Sequence, residues 1–410
     1  MIVYEFKVKG KQKQYQAIDE AIRTSQFIQN KCLRYWMDRK DLKVDKYALN
    51  KYCAVLAAQF PFADQLNSMA RQSAAERCWS AIARFYDNCK KKVKGKKGFP
   101  KFKKNCRSVE YKSTGWKLSE TRKAITFLDK KGIGTLKLKG TYDLNYYDIK
   151  QIKRVRLVRR ADGYYAQFAI DVNVTVETQP TNQVVGIDLG LKYFIADNKG
   201  NVEPSPQFYR KSEKQLNRAN RQKSQKFSPE RKKARARQSN NYHKARNRYA
   251  RKHLKVSRQR KEYCKRLAYS VIQSNDLVAY EDLNVKGLVR NRHLAKSISD
   301  AGWYTFRLWL EYFAHKYGKL TVAVSPHNTS QNCSRCGEKV NKSLSTRTHV
   351  CPHCGYTEDR DINAAINILR LGLSTVGHTG TYATGDLPSW AVGASLSFNG
   401  ESVNVESPYL

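Results

Sequence analysis

Four cysteines form two C-x-x-C pairs, Cys333/Cys336 and Cys351/Cys354. A C-x-x-C turn directs two thiolates at one point, and a second turn completes the tetrahedral sulfur shell that structural zinc prefers. Because four thiolates leave no zinc position open to a substrate, we predict a structural ion. The alternative is a pair of disulfides or four unrelated thiols. Zinc is favoured because disulfides are rare in the reducing cytosol, where we expect this chain.

Three acidic residues lie within or next to apolar stretches, where a charged side chain is unexpected. Asp188 lies in the apolar stretch VVGIDLG, and Glu281 directly follows the apolar stretch LVAY. A carboxylate in a buried strand is costly unless a cation or a metal ion pairs with it. Asp361 lies beside Asp359 at the start of an apolar-periodic helix. Taken alone, these two acids could simply cap that helix and offset its dipole.

Together, Asp188, Glu281 and Asp361 could bind metal. Two divalent ions about 4 Å apart need a cluster of carboxylates, and such a pair catalyses in-line displacement at a phosphodiester. Magnesium suits this role because it takes oxygen ligands and leaves room for a substrate phosphate. Along the chain, an acid in one strand is followed by an acid in a distant strand and then by an acid at the start of a helix. This order is typical of an RNase H-like fold. Asp282 alternates to the other strand face and is a weaker candidate, whereas Asp197 lies in a predicted turn.

The composition points to a polyanionic partner. The chain has 410 residues, enough for two or three domains, and a net charge of +42. A folded protein this basic repels itself unless a polyanion neutralises it, and nucleic acid is the obvious candidate. A membrane surface is the competing interpretation, but we find no apolar run long enough to span a bilayer and no signal peptide at the start. We therefore expect a soluble cytoplasmic protein without a membrane partner.

The first half of the chain predicts a sheet with helices inserted in it. Alternating apolar residues in residues 1–10 indicate a strand, and helical periodicity follows at residues 12–39, 45–59 and 64–88. Residues 109–174 return to period two, with a hairpin signal at Asp162-Gly163. We predict an α+β protein that begins with an antiparallel, barrel-like sheet containing the N-terminal strand.

Two segments are dense in basic residues. In residues 90–105, lysines surround two phenylalanines, a composition suited to binding a phosphate backbone. The alternative is that this segment is a solvated linker. Residues 208–269 are helical with a break at Ser228-Pro229, and too few acids are present to pair with their lysines and arginines. We favour nucleic-acid binding over a solvated helix face. The predicted contacts in these segments are Lys97, Phe99, Lys101, Lys103, Arg231, Lys232, Lys233, Arg235, Arg246 and Arg248.

The later elements complete the predicted α/β domain. We expect an amphipathic helix at residues 303–317, a buried strand at residues 320–324, and a final helix that starts at Asp361 and ends at Gly372. Residues 372–410 contain no lysine or arginine and are rich in Gly, Ser and Thr. Such a composition is typical of a disordered tail.

The motifs resemble those of the TnpB family. The resemblance rests on GIDLGLK (186–192), AYEDL (279–283) and two C-x-x-C-G knuckles leading into DRDINAA (359–365), together with KGFPKFK (97–103) and SISDAGW (297–303). TnpB proteins are RNA-guided nucleases encoded by insertion sequences and related to compact type V CRISPR effectors. The resemblance extends over nearly all of the chain up to about residue 371.

The resemblance implies a RuvC-like nuclease domain in residues 184–327 and 357–371, interrupted by a zinc ribbon in residues 328–356. It implies a wedge domain in residues 1–10 and 106–178 and a helical recognition lobe in residues 11–105. Asp188, Glu281 and Asp361 would bind two catalytic magnesium ions. A guide RNA from the same element would pair with double-stranded target DNA, and we expect a monomeric ribonucleoprotein. Arg71 and Gln72, on a helix of the lobe, are candidates for reading a motif beside the target.

Two other functions use the same features. A transposase would employ the acids for DNA strand transfer without guide RNA. A non-catalytic regulator would bind nucleic acid through the zinc ribbon. The regulator leaves unexplained why acids lie in apolar strands, and bound RNA distinguishes the guided nuclease from the transposase.

Overall fold

The computed structural model describes residues 1–39, 44–93, 95–234, 236–343 and 346–377. The chain divides into two compact units, the N-terminal unit (Met1–Val174) and the C-terminal unit (Thr175–Leu410). Both mix helices with sheet, which confirms the predicted α+β class. In the ranges described, no helix has the length and apolar character needed to cross a membrane.

The N-terminal unit is built on a curled seven-stranded sheet in which all the pairings are antiparallel. Its strands are β1 (Ile2–Lys9), β2 (Ser108–Lys112), β3 (Trp116–Leu118), β4 (Ala124–Phe127), β5 (Gly134–Lys139), β6 (Ile152–Arg160) and β7 (Gly163–Ile170). The spatial order is β2-β6-β7-β1-β5-β4-β3, so the first strand of the chain lies at the centre. The N-terminal strand therefore belongs to this sheet, as its alternating pattern predicted.

Strand β1 shows why the pattern was informative. Ile2, Phe6 and Val8 are buried, whereas Lys7 and Lys9 point to solvent. A strand with one buried face must alternate in this way, because successive side chains point to opposite faces.

Four helices complete the N-terminal unit. They are α1 (Gln12–Asp38), α2 (Lys46–Gln59), α3 (Pro61–Asp64) and α4 (Ser68–Lys90). The first two match their predicted positions, and the Asp45 carboxylate caps α2 by accepting a hydrogen bond from the Ala48 amide. The third predicted helix starts later than residue 64, because Asn67 caps α4 through the Met69 amide.

The C-terminal unit contains a five-stranded sheet in the order β10-β9-β8-β11-β12. Its strands are β8 (Val184–Asp188), β9 (Tyr193–Asp197), β10 (Val202–Pro204), β11 (Leu277–Glu281) and β12 (Leu320–Val324). Strand β11 runs parallel to both β8 and β12, whereas β8, β9 and β10 form an antiparallel meander. A small two-stranded sheet follows, made of β13 (Thr348–Val350) and β14 (Thr357–Asp359).

The C-terminal unit also contains helices. They are α5 (Phe208–Gln225), α6 (Pro229–Lys233), α7 (Asn240–Ser274), α8 (Val285–Leu288), α9 (Ala295–Ala301), α10 (Trp303–Lys316) and α11 (Arg360–Thr375). Helix α7 packs along both α5 and α10, and α11 packs on β8 and β11. The break predicted at Ser228-Pro229 separates α5 from α6, where Ser228 caps the short helix.

Helix α11 approaches the sheet closely at two glycines. A Cβ atom added to Gly186 would lie 2.2 Å from the Ala365 carbonyl oxygen, and one added to Gly372 would lie 2.5 Å from the Cβ of Ala279. The prediction that this helix ends at Gly372 is wrong, because α11 continues to Thr375. Gly372 is needed for helix–sheet contact, which sequence alone does not distinguish from a helix stop. The rest of the predicted tail, from residue 378, lies outside the described residues.

Candidate metal centre and carboxylate cluster

The four cysteines of the C-x-x-C pairs converge. Their sulfur atoms all lie within 4.8 Å of one another. The Cys333 and Cys354 sulfurs are 3.7 Å apart, and those of Cys336 and Cys351 are 3.6 Å apart. A tetrahedral zinc ion with Zn–S bonds of about 2.3 Å places its sulfurs about 3.8 Å apart. The four thiols therefore fit a closed zinc site, as the spacing predicted.

Two glycines shape the knuckles. Gly337 and Gly355 have positive φ angles of 85° and 70°. The amide of Gly337 donates to the Cys333 carbonyl, and that of Gly355 donates to the Cys351 carbonyl. These left-handed turns let each pair of cysteines face one point, and residues with a Cβ rarely adopt them.

The three predicted metal-binding acids lie at one edge of the five-stranded sheet. Asp188 ends β8 and Glu281 ends β11, and the parallel register of these strands aligns Ile187 with Tyr280. Asp361 lies in the first turn of α11, which packs on both strands. Three segments distant in sequence thus bring together the acidic triad of Asp188, Glu281 and Asp361.

The triad is electrostatically strained. Burial raises the pKa of Asp188 to about 8, and the charges of Glu281 and Asp361 add to this effect while Arg360 opposes it. Burial also raises the pKa of Glu281. Within the described residues, only the cysteine group has three or more ligand atoms all within 4.8 Å, so the carboxylates are more widely spaced. A cation bound among the three carboxylates would offset their mutual repulsion.

Asp359 and Asp361 have separate roles in the structure. The Asp359 carboxylate accepts the Asp361 amide at 2.8 Å and so caps α11. The side chain of Asp361 is 7% exposed and forms ion pairs with Arg347 at 3.6 Å and Arg360 at 3.3 Å. Capping therefore explains Asp359, whereas Asp361 is a buried acid whose charge acts on Asp188.

Neighbouring acids lie outside the triad. Asp282 forms an ion pair with Arg307. Asp197 accepts the amides of Lys199 and Asn201, which is the turn chemistry predicted for it.

Sequence reasoning missed Thr329. Its side chain is buried, and its hydroxyl donates to the Glu281 carboxylate at 2.5 Å. The two residues are far apart in the chain, so no spacing rule could have paired them.

Two family models match this chain. One, described as "Cas12f1-like, TNB domain", covers residues 303–368, and another, OrfB_IS605, described as "Probable transposase", covers residues 167–292. A Streptomyces pristinaespiralis protein named "Putative RNA-guided DNA endonuclease" is 33% identical over 217 residues, which cover 52% of this chain and 51% of that protein. The Escherichia coli K12 protein "Putative RNA-guided DNA endonuclease InsQ" is 27% identical over 295 residues, which cover 67% of this chain and 68% of the relative.

These matches confirm the resemblance to the TnpB family. The match spans about half the length of the Streptomyces relative. A solved structure, the cryo-EM structure of the Cas12f1-sgRNA-target DNA complex, superposes with a TM-score of 0.52 at 15% identity and covers 87% of this chain and 83% of that one. At this identity the likeness concerns the fold.

The basic helices of this chain present the predicted contacts to solvent. Arg231, Lys232 and Lys233 are exposed on α6, and Arg246 and Arg248 are exposed on α7. Arg235 lies outside the described residues. Exposure leaves these side chains accessible to a phosphate backbone.

The lysine-rich segment is held on the helices of the N-terminal unit. The Asn30 side chain pairs with the backbone of Lys103 through two hydrogen bonds, and the Phe99 ring lies 5.2 Å from that of Phe85. Phe99 is nevertheless 52% exposed, and the Lys101 side chain points to solvent. The side chain of Lys97 donates to the Val93 carbonyl. The segment is thus attached, with exposed lysines on its surface.

The two residues proposed for motif reading are partly engaged within the protein. Arg71 donates to the Asp64 carboxylate at 3.0 Å and to the Ala63 carbonyl at 3.2 Å, and its side chain is only 14% exposed. Gln72 accepts a hydrogen bond from Lys112 at 3.5 Å. These contacts leave little of the Arg71 guanidinium for a base.

Four lysines form an unpredicted basic surface, the lysine ladder of Lys7, Lys9, Lys137 and Lys139. Lys7 pairs directly with Lys139 across β1 and β5, and Lys9 pairs with Lys137. All four are exposed. The pKa of Lys139 is lowered mainly by its hydrogen bond with Lys9. Charge repulsion from Lys9 and Lys137 lowers it further. Like charges directly opposite each other destabilise a sheet, so this surface favours an anionic partner. The K-x-K pattern in two neighbouring strands was the signal that could have revealed it.

Proposed function

We propose that this chain is an RNA-guided DNA endonuclease of a transposable element. It would hydrolyse DNA phosphodiesters with Asp188, Glu281 and Asp361 as ligands of two magnesium ions in a RuvC-like, RNase H-like domain. The observation that carries the proposal is the convergence of these three acids at one edge of the sheet. Two parallel strand ends and a helix start are rigid supports for such a site.

The donor set fits magnesium. The triad offers carboxylate oxygens. Burial, followed by the charges of Glu281 and Asp361, raises the pKa of Asp188, and a nearby cation would favour its ionised form. When bound, the two ions would activate water and stabilise the leaving oxygen of the phosphodiester. The protein's part is to hold three carboxylates in fixed positions at the edge of the sheet. Arg347 and Arg360 supply positive charge on the Asp361 side.

The proposed partners are a guide RNA and double-stranded target DNA. The net charge of +42 and the exposed basic residues of α6 and α7 support binding to phosphate backbones. The names of the Streptomyces and Escherichia coli relatives support RNA guidance. In this proposal residues 184–327 and 357–371 form the nuclease domain around a zinc ribbon at residues 328–356. The wedge and helical lobe would be formed by residues 1–10 with 106–178 and by residues 11–105.

Co-purified RNA tests the proposal directly. The protein is expressed with the DNA that flanks its gene, purified in moderate salt, and its bound RNA is sequenced. We expect one defined RNA ending in sequence from beyond the element, and magnesium-dependent cleavage of DNA that matches this end. The matched control is Asp188→Asn, which should bind the same RNA and leave the DNA intact. Random cellular RNA together with unguided cleavage would overturn the proposal.

A transposase that acts without guide RNA is the second candidate. The family model for residues 167–292 carries the description "Probable transposase", and strand transfer would use the same acids. Joining of element ends by RNA-free protein would favour this function. If the protein is instead a non-catalytic zinc-ribbon regulator, Asp188→Asn should leave its activity unchanged.

A further inference from the structure

Glu281 of the triad is hydrogen-bonded to a residue just before the zinc ribbon. Thr329 is 4% exposed, Glu281 is 9% exposed, and the Thr329 hydroxyl donates to Oε1 of the carboxylate at 2.5 Å. A hydrogen bond to one carboxylate oxygen fixes the rotation of the whole group. The direction in which the second oxygen points is therefore set by the position of Thr329.

Thr329 is held by helix α11. The Asn367 side chain donates to the carbonyl of Thr329 at 2.9 Å and to that of Asn332 at 2.8 Å. Asn363, one turn earlier on the same face, donates to the Asn332 carbonyl at 2.9 Å and accepts the Ser334 amide at 2.9 Å. Both asparagines are buried, where an unsatisfied amide would be costly.

The same backbone belongs to the first zinc knuckle. Ser334 lies between Cys333 and Cys336, and its carbonyl accepts a hydrogen bond from Arg370 of α11 at 2.5 Å. The knuckle is thus held on one side by its cysteines and on the other by three side chains of α11. Asp361 lies in the first turn of that helix, so one helix supports both an acid of the triad and the ribbon segment that holds Thr329.

We propose that Thr329 is a positioning residue for Glu281 and that the zinc knuckle sets the position of Thr329. The ribbon would then contribute to the metal-binding geometry of the triad as well as to folding. This inference rests on the proposed function, because it assigns Glu281 a role in binding magnesium. Groups that hydrogen-bond to metal ligands typically change metal affinity or activity by about 10–100-fold when removed.

Thr329→Val tests the hydrogen bond because it removes the hydroxyl and keeps the shape. We expect the magnesium concentration for half-maximal cleavage to rise about tenfold or more. The rise in melting temperature that magnesium gives to the RNA-free protein should shrink in parallel. Thr329→Ser should restore both measurements. The matched control is Thr357→Val in β14, an exposed residue directly after the ribbon, which should behave like wild type.

Zinc content and RNA affinity should not change in Thr329→Val, since it leaves the cysteines and the basic surfaces intact. If Thr329→Val folds poorly, Thr329→Ala and Thr329→Ser replace it. Both lose the methyl group, and only Thr329→Ser keeps the hydroxyl. An unchanged magnesium dependence in a folded hydroxyl-free variant overturns the role of Thr329.

A double-mutant cycle tests the coupling to zinc. Cys336→Ser should weaken the response to magnesium by loosening the first knuckle. Adding Thr329→Val to this variant should then have little further effect. Additive effects would overturn the coupling. Glu281→Gln separates the two proposals. If Glu281→Gln still cleaves DNA, the proposed function of Glu281 fails. If Glu281→Gln is inactive while Thr329→Val resembles wild type, only the positioning inference fails.

Discussion

Asp188 and Glu281 end two neighbouring parallel strands at the same edge of one sheet. The register of β8 and β11 aligns Gly186 with Ala279 and Ile187 with Tyr280, so the two acids follow side by side. Parallel pairing of β8 with β11 therefore brings together two acids that are distant in sequence. Their burial and like charge favour a cation at this edge.

Asp188→Asn should abolish cleavage and leave the fold intact. Asparagine keeps the shape but removes one negative charge from the triad, so we expect the rate of guided DNA cleavage to fall by about a thousandfold or more. RNA affinity should not change. The rate is measured in a single-turnover assay at saturating magnesium. Asp282→Asn, beside the triad but paired with Arg307, is the control and should retain activity. Retained cleavage in Asp188→Asn would remove Asp188 from the site.

The stability of the magnesium-free protein should fall as the pH rises from about 4 to about 8. The folded-state pKa of Asp188 is raised to about 8 from its usual value, so the folded protein binds more protons than the unfolded chain in this window. Under this condition the free energy of unfolding decreases with pH, because ionising Asp188 costs more in the folded state. The melting temperature is measured between these pH values with zinc retained and no magnesium added.

Two comparisons isolate this effect. Asp188→Asn should flatten the decrease, because asparagine does not titrate. Magnesium should oppose it by neutralising the ionised triad. A wild-type slope that Asp188→Asn leaves unchanged would assign the pH dependence to other groups.

The fold was predictable where one local pattern determines the outcome. Strand β12 occupies the predicted residues 320–324, and the apolar face of α10 contains the buried Phe306 and Leu310 as expected. Asp359 and Asp361 could not be told apart from sequence, because both are compatible with the first turn of a helix. Only the structure shows that Asp359 accepts the backbone amide, whereas the Asp361 side chain is buried and paired with Arg360.

Tertiary contacts account for what sequence reasoning missed. Thr329 reaches Glu281 because α11 holds the knuckle through Asn363 and Asn367. Gly372 looks like a helix stop because glycine serves both helix ends and close packing, and its proximity to Ala279 depends on the strand beneath it. Such roles follow from which elements pack together, and a pattern within one element does not contain that information.

Cys351→Ser should release zinc. Cys351 is buried, and its sulfur lies 3.6 Å from that of Cys336, so losing one thiolate opens the closed shell. We expect the zinc content to fall from about one ion per chain to nearly none. Residues 328–356 should also become more sensitive to proteolysis. Elemental analysis measures the first effect. Cys89→Ser, an exposed cysteine far from the ribbon in sequence, is the control. Unchanged zinc in Cys351→Ser would mean that the cysteines do not form the metal site.

Lys139→Gln should stabilise the free protein and weaken its binding to RNA. The exposed ammonium of Lys139 faces Lys7 across the strands and is repelled by Lys9 and Lys137, so removing it relieves repulsion and should raise the melting temperature slightly. If the lysine ladder contacts phosphates, the slope of the logarithm of the RNA association constant against that of salt concentration should become shallower by about 0.7–0.9.

Lys130→Gln makes the same change in charge but removes an ion pair with Asp64, so it should not raise the melting temperature. A higher melting temperature with an unchanged salt slope would show that the ladder is strained but does not contact RNA.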